Sequence, residues 1–436
     1  PAAIRGAPSP CNSPDRSPRP RGPRPATPPS APAKAPGNPA PSNPKKPGNK
    51  KAPDSTTQGE RHHDICLYVD DGFASADVDC PAADNDMQIL HERFKLTSQD
   101  DVDLFVGLNV SDNLDGSVEL SSEAYINSLV DKYLPQPLDS YPRVTTPASD
   151  ELRKAYGQAL DDHAANKPVD EKLQKKYASL VGAMIYAVPG VRIAEAQAVA
   201  MLARALTFPT QSLMHCALRV LVHLGRTASE TIRFSVDSPS AAELYVYTDS
   251  DWDTVNGTTG TVHMLAGAAI AHNSKKQPCI SMSSTESEII AASQGALEAV
   301  YFRRLLNEMQ VPQVNPTKIF VDNQGAITLS KHQKSCHRSR HVLRRYFKVR
   351  ELQALGEVEV VYCPTDSNWS DFLTKVVSPK KWAACKAATT GHAPAEPPEI
   401  SVHATAPLDA WAVALCIPSR IETYAQYVAE CGEPAD

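Results

Sequence analysis

The chain has 436 residues, with 44 basic against 50 acidic side chains, a formal net charge of -6 and 37 prolines. Seventeen of those prolines fall in residues 1–60, which hold no aromatic residue, one large aliphatic (Ile4) and ten Lys/Arg against three Asp/Glu. One uniform acidic globule is therefore excluded: the leader carries about +7 and the remaining residues about -13.

A segment without apolar side chains cannot offset the entropy of folding, so 1–60 is expected to be a disordered, Pro-rich basic leader. A flexible spacer with non-specific attraction for polyanions fits that composition. No run of 18 apolar residues exists; the most apolar stretch, Val181 to Leu206, is broken by Arg192, Glu195 and Arg204, so no membrane span is expected. The basic N-terminus lacks the apolar core of a secretory signal. Ten cysteines without a CxxC pair read as reduced thiols of an intracellular protein, cytoplasmic or nuclear. His332, Cys336, His337 and His341 cluster, but no second Cys pair at zinc-ligand spacing accompanies them.

In chain order, residues 61–110 read as strands and turns. Ile65 to Val69 is a short apolar run, Asp70-Asp71-Gly72 signals a tight turn, and Leu104 to Val110 is a further strand candidate. Residues 145–170 are polar and read as a connector. Residues 171–225 are rich in Ala and Leu and read helical, with breaks at Pro189-Gly190 and Pro209. From about 240, strands and helices alternate. Leu244 to Tyr247 is a strand ending at Asp249, and Thr261 to His272 suits a hairpin. Ser283 to Met309 is a helix, and Lys318 to Val321 is a strand ending at Asp322. Arg340 to Leu355 is a helix closed by Gly356, Glu357 to Cys363 is a strand, and Asn368 begins a last helix. A mixed sheet flanked by helices follows from this pattern. The tail beyond 379 has no assignment.

Four acids recur at element ends. Asp249 and Asp322 stand where apolar strands stop, the edge at which α/β sheets bind ligands. Glu288 and Asp371 stand in the first turns of expected helices. Four carboxylates brought to one edge would repel each other unless cations bound them, and Mg2+, or Mn2+, suits an all-oxygen set. Two such ions, about 3.5–4 Å apart, would serve phosphodiester cleavage. Simpler roles compete at every position. Asp249 and Asp322 are also ordinary turn residues. Thr285 with Glu288, or Ser283 with Glu286, makes a capping box, and Asn368 with Asp371 makes a capped, dipole-favoured turn. The Glu288 face continues through Ala291, Ala292, Gly295 and Ala296, small enough for close approach to a sheet. The Glu286 face continues through Ile289 and Ile290. Spacing alone leaves the two glutamates open.

Five motifs in order are Thr248-Asp249-Ser250-Asp251-Trp252, Ser274-Lys275-Lys276-Gln277, Ser283-Ser284-Thr285-Glu286-Ser287-Glu288, Val321-Asp322-Asn323-Gln324 and Asp371-Phe372-Leu373-Thr374-Lys375. Together they resemble the ribonuclease H domain of copia-type LTR retrotransposon Pol polyproteins. The resemblance implies that Asp249, Glu288, Asp322 and Asp371 are metal-binding catalytic acids, with Asp251 and Glu286 as near-neighbour alternatives. It also implies cleavage of the RNA strand of an RNA–DNA hybrid, with no small-molecule cofactor.

Upstream, Tyr68-Val69-Asp70-Asp71 is similar to the catalytic hairpin of reverse transcriptases, where Asp70 and Asp71 would hold metal. Phe105-Val106-Gly107-Leu108, Val144-Thr145-Thr146-Pro147, Tyr177 to Tyr186 and His215 to Leu224 continue the family pattern. The resemblance divides the chain into a leader (1–60), the C-terminal part of a reverse-transcriptase palm (61–147), a helical thumb or connection (148–235), a ribonuclease H-like α/β domain (236–378) and an unassigned tail (379–436). Polymerase chemistry needs a third carboxylate upstream of the hairpin. Asp15, Asp54, Glu60 and Asp64 have no suitable apolar context, so DNA synthesis by this chain alone is not expected. Residues 331–350 carry eight Lys/Arg and no acid. Lys331, Lys334, Arg338, Arg340, Arg344, Arg345 and Lys348 are the expected contacts to hybrid phosphates. Departures include Arg192-Ile193-Ala194-Glu195 where the family has Arg-Pro-Asp, Tyr346-Phe347 for Tyr-His, and His272 for Trp. These favour, as the rival reading, an inactive remnant that at most binds nucleic acid. The resemblance implies the rest of a Pol polyprotein as a partner, and leaves open whether the chain is a processed fragment or a decayed copy.

Overall fold

A computed structural model describes residues 63–68, 71–76, 80–94, 104–235, 241–252, 257–331 and 348–394. The leader, Asp70, the His332–His341 cluster, Lys334, Arg338, Arg340, Arg344, Arg345 and the tail after 394 lie outside the described residues. The described residues belong to one compact unit, Glu60–Asp436. Among them no helix is long and apolar enough to cross a membrane.

Strands β1 (His63–Tyr68) and β2 (Asp71–Ala76) pair antiparallel with Tyr68 opposite Asp71, so two residues join them. Helix α1 (Pro81–Arg93) follows, where only strands and turns were expected. Its first-turn proline presets the helical φ, but it buries no residue of its own span, so it leaves no apolar period to read. The single strand expected from Leu104 to Val110 is a hairpin instead. β3 (Leu104–Phe105) and β4 (Leu108–Asp112) turn at Val106 and Gly107, both at positive φ (50° and 75°). Two consecutive left-handed residues match the twist of a two-residue hairpin, and glycine takes that conformation without strain.

β4 pairs with β5 (Val118–Ser121), and β5 pairs with β6 (Ile232–Phe234), which arrives more than a hundred residues later. The antiparallel order β3-β4-β5-β6 therefore joins chain on both sides of residue 147. Between β5 and β6 run α2 (Glu123–Tyr133), α3 (Asp150–Ala164), α4 (Glu171–Val191), α5 (Ala196–Ala203) and α6 (Gln211–Arg226). Helix α3 replaces the expected connector. Ser149 caps it by accepting from the Leu152 N–H, and only Leu152 and Ala159 are buried, so its sequence reads polar. Helix α4 passes through Pro189 and ends at Val191, two residues beyond the expected break.

After α4, Arg192, Glu195 and His223 are fully buried together. Arg192 donates to Glu195 Oε1 at 2.9 Å and to the Thr227 carbonyl at 2.7 Å, while His223 Nδ1 lies 3.0 Å from the same carboxylate. Burial would raise the Glu195 carboxyl, but the Arg192 and His223 charges and hydrogen bonds hold it down at about 2. This ion network occupies the stretch where the chain departs from the family sequence.

The second sheet holds β7 (Tyr245–Asp251), β8 (Thr258–Leu265), β9 (Ala268–Lys276), β10 (Thr317–Val321) and β11 (Val358–Tyr362). Its order is β11-β10-β7-β8-β9: the first three strands form an antiparallel meander and the last two run parallel to β7. Counted within the sheet, the spatial order is 3-2-1-4-5. The β8–β9 turn uses Ala266 and Gly267 at φ 50° and 79°. Helix α7 (Ser284–Glu308) packs on this sheet, followed by α8 (Gln324–Lys331), α9 (348–354) and α10 (Pro379–Thr389). The small face read from the sequence is what meets the sheet. A methyl placed on Gly295 would stand 2.7 Å from Thr248 Cγ2 and 3.3 Å from Val246 Cγ1.

Candidate active site

Strand β7 runs to Asp251, so Asp249 sits inside the strand rather than at its end, paired with Gly260 of β8. Ser283 caps α7 by accepting from the Glu286 N–H at 3.2 Å, and Glu286 Oε2 accepts from the Met282 N–H at 2.7 Å. Glu286 is thereby used at the helix start, in the manner of a capping box. Two residues on, Glu288 is buried to the same degree as Glu286. Asp322 follows the last residue of β10 and accepts from the Thr365 hydroxyl at 2.9 Å.

These elements bring one carboxylate oxygen each from Asp249, Glu288 and Asp322 within 4.8 Å of one another. Glu288 Oε2 is buried with no hydrogen-bond partner. Burial pushes the Asp249 carboxyl up to about 6; Lys375 and Thr374 pull against this, and Asp371 and Asp322 add to it. Burial, then the charges of Asp249 and Asp322, push Glu288 well up as well, against hydrogen bonds from Ser250. Three crowded carboxylates, two of them buried and one with an orphaned oxygen, are an unfavourable arrangement that a hard divalent cation would relieve. The donor set fits Mg2+ or Mn2+.

Asp371 is placed differently from the expectation. No α-helix starts at Asn368; Asp371–Leu373 is a single 3-10 turn. Asn368 is fully buried and spends its amide on the Thr248 carbonyl of β7 (3.0 Å), while its Oδ1 accepts from the Ser370 N–H and hydroxyl. This local turn pins the segment against the sheet instead of capping a helix. Gly260 makes room for it, since a methyl there would meet Thr374 Cγ2 at 2.7 Å and the Ser370 carbonyl at 3.1 Å. Asp371 is buried but lies outside the group of three. Its Oδ1 faces Lys375 Nζ at 3.1 Å and its Oδ2 faces Lys381 Nζ at 3.5 Å.

Lys375 also reaches Asp249 Oδ2 at 3.5 Å, and the Thr374 hydroxyl hydrogen-bonds that carboxylate. Burial would lower the Lys375 ammonium, but Asp249 and Asp371 hold it above the usual lysine range. Lys381, from α10, donates to the Thr365 and Asp366 carbonyls (2.8 and 2.7 Å) and lies 5.4 Å from the Trp369 ring centre. Sequence reasoning assigned no role to Lys375, Lys381 or Thr374, and gave Asn368 only that of a helix cap. The i, i+4 spacing of Asp371 and Lys375 was the available signal; Lys381 stood in the unassigned tail.

Of the expected phosphate contacts, Lys331 is exposed at the end of α8, and Lys348 pairs with Glu351 at 3.3 Å. Arg350 donates to the Leu329 carbonyl at 2.8 Å, which fastens α9 to α8. Asp71 opens β2, next to Asp70 outside the described residues. His272 lies 3.2 Å from the Val188 carbonyl, linking β9 to α4.

No protein-family model matches the chain. It is 30% identical over 274 residues to the retrovirus-related Pol polyprotein from transposon TNT 1-94 of Nicotiana tabacum, a match covering 61% of this chain and 20% of that one. It is 26% identical over 318 residues to the retrovirus-related Pol polyprotein from transposon RE1 of Arabidopsis thaliana, covering 72% and 20%. These relatives are Pol polyproteins of copia-type retrotransposons. The chain spans about a fifth of the length of these two relatives. A shorter relative, the secreted RxLR effector protein 161 of Plasmopara viticola, is 33% identical over 129 residues, covering 29% of this chain and 89% of that one. A solved structure of the N-terminal RNase H domain of a Mycobacterium tuberculosis protein, fused to maltose binding protein, matches with 13% identity and a TM-score of 0.25. It covers 33% of this chain and 95% of that one. The strand order, rather than that match, carries the account of the fold.

Proposed function

We propose that the 236–378 region of this Pol relative is a ribonuclease H-type nuclease that hydrolyses the RNA strand of an RNA–DNA hybrid with Mg2+ or Mn2+. The observation that carries the reading is the convergence of Asp249, Glu288 and Asp322 from β7, α7 and the end of β10 within 4.8 Å, on a sheet ordered 3-2-1-4-5. A divalent ion held there supplies an activated water and offsets charge developing on the phosphate. The protein's own part is to hold the three carboxylates rigidly. Asp249 and Glu288 release the protons that burial favours when they become ligands. Thr365 orients Asp322 by donating its hydroxyl to Oδ2. Lys331 and the basic run after it would engage hybrid phosphates.

In the same reading, residues 61–235 are the C-terminal part of a polymerase palm with a helical connection, and the chain works as part of a larger Pol polyprotein inside the cell. Cleavage of a labelled hybrid should require Mg2+ or Mn2+ and should vanish with Asp249→Asn and with Asp322→Asn. Cleavage indifferent to both substitutions sinks the proposal. One observation favours a second reading, an inactive remnant that binds hybrid without cutting it: Asp371 faces two lysines instead of joining the other acids. Measuring hybrid binding and cleavage in one preparation separates the two.

A further inference from the structure

We propose that the Lys375 ammonium is a built-in second cation of the acid site, so that the chain takes one divalent ion at Asp249, Glu288 and Asp322 and none between Asp249 and Asp371. This rests on the metal-dependent reading above. Two-ion sites share a carboxylate between ions about 3.5–4 Å apart. Asp249 is the carboxylate in that position. It belongs to the group of three, and its Oδ2 also faces Lys375 Nζ at 3.5 Å. The same ammonium lies 3.1 Å from Asp371 Oδ1, so it bridges the two acids that would hold another ion.

The rest of Asp371 is engaged too. Its Oδ2 faces Lys381, which is anchored independently by the Thr365 and Asp366 carbonyls. An ion entering between Asp249 and Asp371 would bring two positive charges against two ammonium groups at close range, and that repulsion opposes its binding. Lys375 is also held in place by its backbone. Its N–H donates to the Asp371 carbonyl at 3.3 Å, and its neighbour Thr374 bonds Asp249. Its side chain stays 41% exposed, so the ammonium is not sealed from solvent. A monovalent ammonium balances phosphate charge but does not activate water, which leaves that task to the single ion at the three acids.

Isothermal titration of the full chain with Mn2+ tests this, with folding of each variant verified by circular dichroism. Wild type should bind one ion, and Asp249→Asn should lose it. Lys375→Met should bind that ion about tenfold or more tightly, or take a second, whereas Lys375→Arg should remain at one with little change. Asp371→Asn should leave the count at one, because Asp371 is not a ligand. Two ions in wild type, or loss of an ion in Asp371→Asn, overturns the inference. So does a Lys375→Met chain unchanged in both count and affinity, and in that case a single ion lost in Asp249→Asn leaves the nuclease reading standing. No ion in wild type removes the metal-dependent reading and this inference together.

Discussion

The acid cluster should make the metal-free protein less stable, and Asp249 gives the magnitude. It is 1% exposed, and its carboxyl is pushed from an ordinary 3.8 up to about 6. A carboxyl raised on folding binds its proton more tightly in the folded state. Its contribution is therefore harmless below about pH 3.8, turns unfavourable as pH rises toward 6, and reaches its full cost above that. Two units correspond to ~3 kcal/mol at neutral pH. Glu288 is shifted in the same direction by the same burial, so it adds to the effect. Asp249→Asn keeps the shape and removes the charge. In EDTA at pH 7.5 it should unfold several degrees above wild type, and the gap should close near pH 4. Added Mg2+ should reverse the order by stabilising wild type alone. Thermal melts followed by circular dichroism in the four combinations of pH and metal measure this. A variant less stable than wild type in EDTA, together with a wild type indifferent to pH, would refute the reasoning that burial and mutual repulsion strain these carboxylates.

Glu288→Gln should abolish hybrid cleavage while Glu286→Gln, whose amide oxygen can still accept from the Met282 N–H, should retain most of it; equal losses would mean that helix capping and metal binding are wrongly divided between the two. Gly295→Val should cost about 1–3 kcal/mol by overpacking against Thr248, and should lower cleavage with stability because it moves Glu288 off the sheet. The contrasting substitution Gly182→Ala, in α4 with nothing within 4 Å of the new methyl, should stabilise by about 0.4–1 kcal/mol; both are read from urea unfolding midpoints. Glu195→Ala leaves Arg192 and His223 buried without their carboxylate and should cost about 3–5 kcal/mol at pH 7. Because the folded Glu195 value is depressed to about 2, its stabilisation is present above the ordinary 4.5 and is lost as pH falls from there. The gap between wild type and variant should therefore shrink at pH 3, and a gap that widens on acidification counts against the ion network.

Elements that bury a dense apolar face were legible in the sequence, and elements that bury little were not. Helix α7 declares itself through Ile289, Ala292, Ala296 and Ala299, all buried, and its small face correctly marks where it touches the sheet. The β8–β9 hairpin is legible from its glycine-punctuated apolar run. Helix α3 shows two buried residues and α1 none, so neither produces a period above its polar surroundings. The strand read from Leu104 to Val110 hid a turn because Val106, a residue that disfavours positive φ, adopts it there beside Gly107. Pairing of β5 with β6 depends on tertiary packing of the intervening helices and has no local signal at all.

The acids separate for a related reason. In the sequence Asp249, Glu288, Asp322 and Asp371 are equivalent, four carboxylates at element ends, and a metal site built from all four is the natural expectation. What distinguishes Asp371 is not its own position but the cations around it, and those come from separate elements. Lys375 follows by one helical turn, within reach of a local rule, but Lys381 belongs to α10, which packs back onto this segment with Trp382 buried beneath it. Asn368 adds the third constraint by tying the turn to β7 rather than starting a helix. Removing α10 should therefore act on the site through charge as well as packing. Lys381→Met, which keeps the aliphatic stem and removes one of the two ammoniums facing Asp371, separates these effects. If the fourth acid is silenced by its lysines, this variant should strengthen Mn2+ binding, while loss of its hydrogen bonds to the Thr365 and Asp366 carbonyls lowers the melting midpoint.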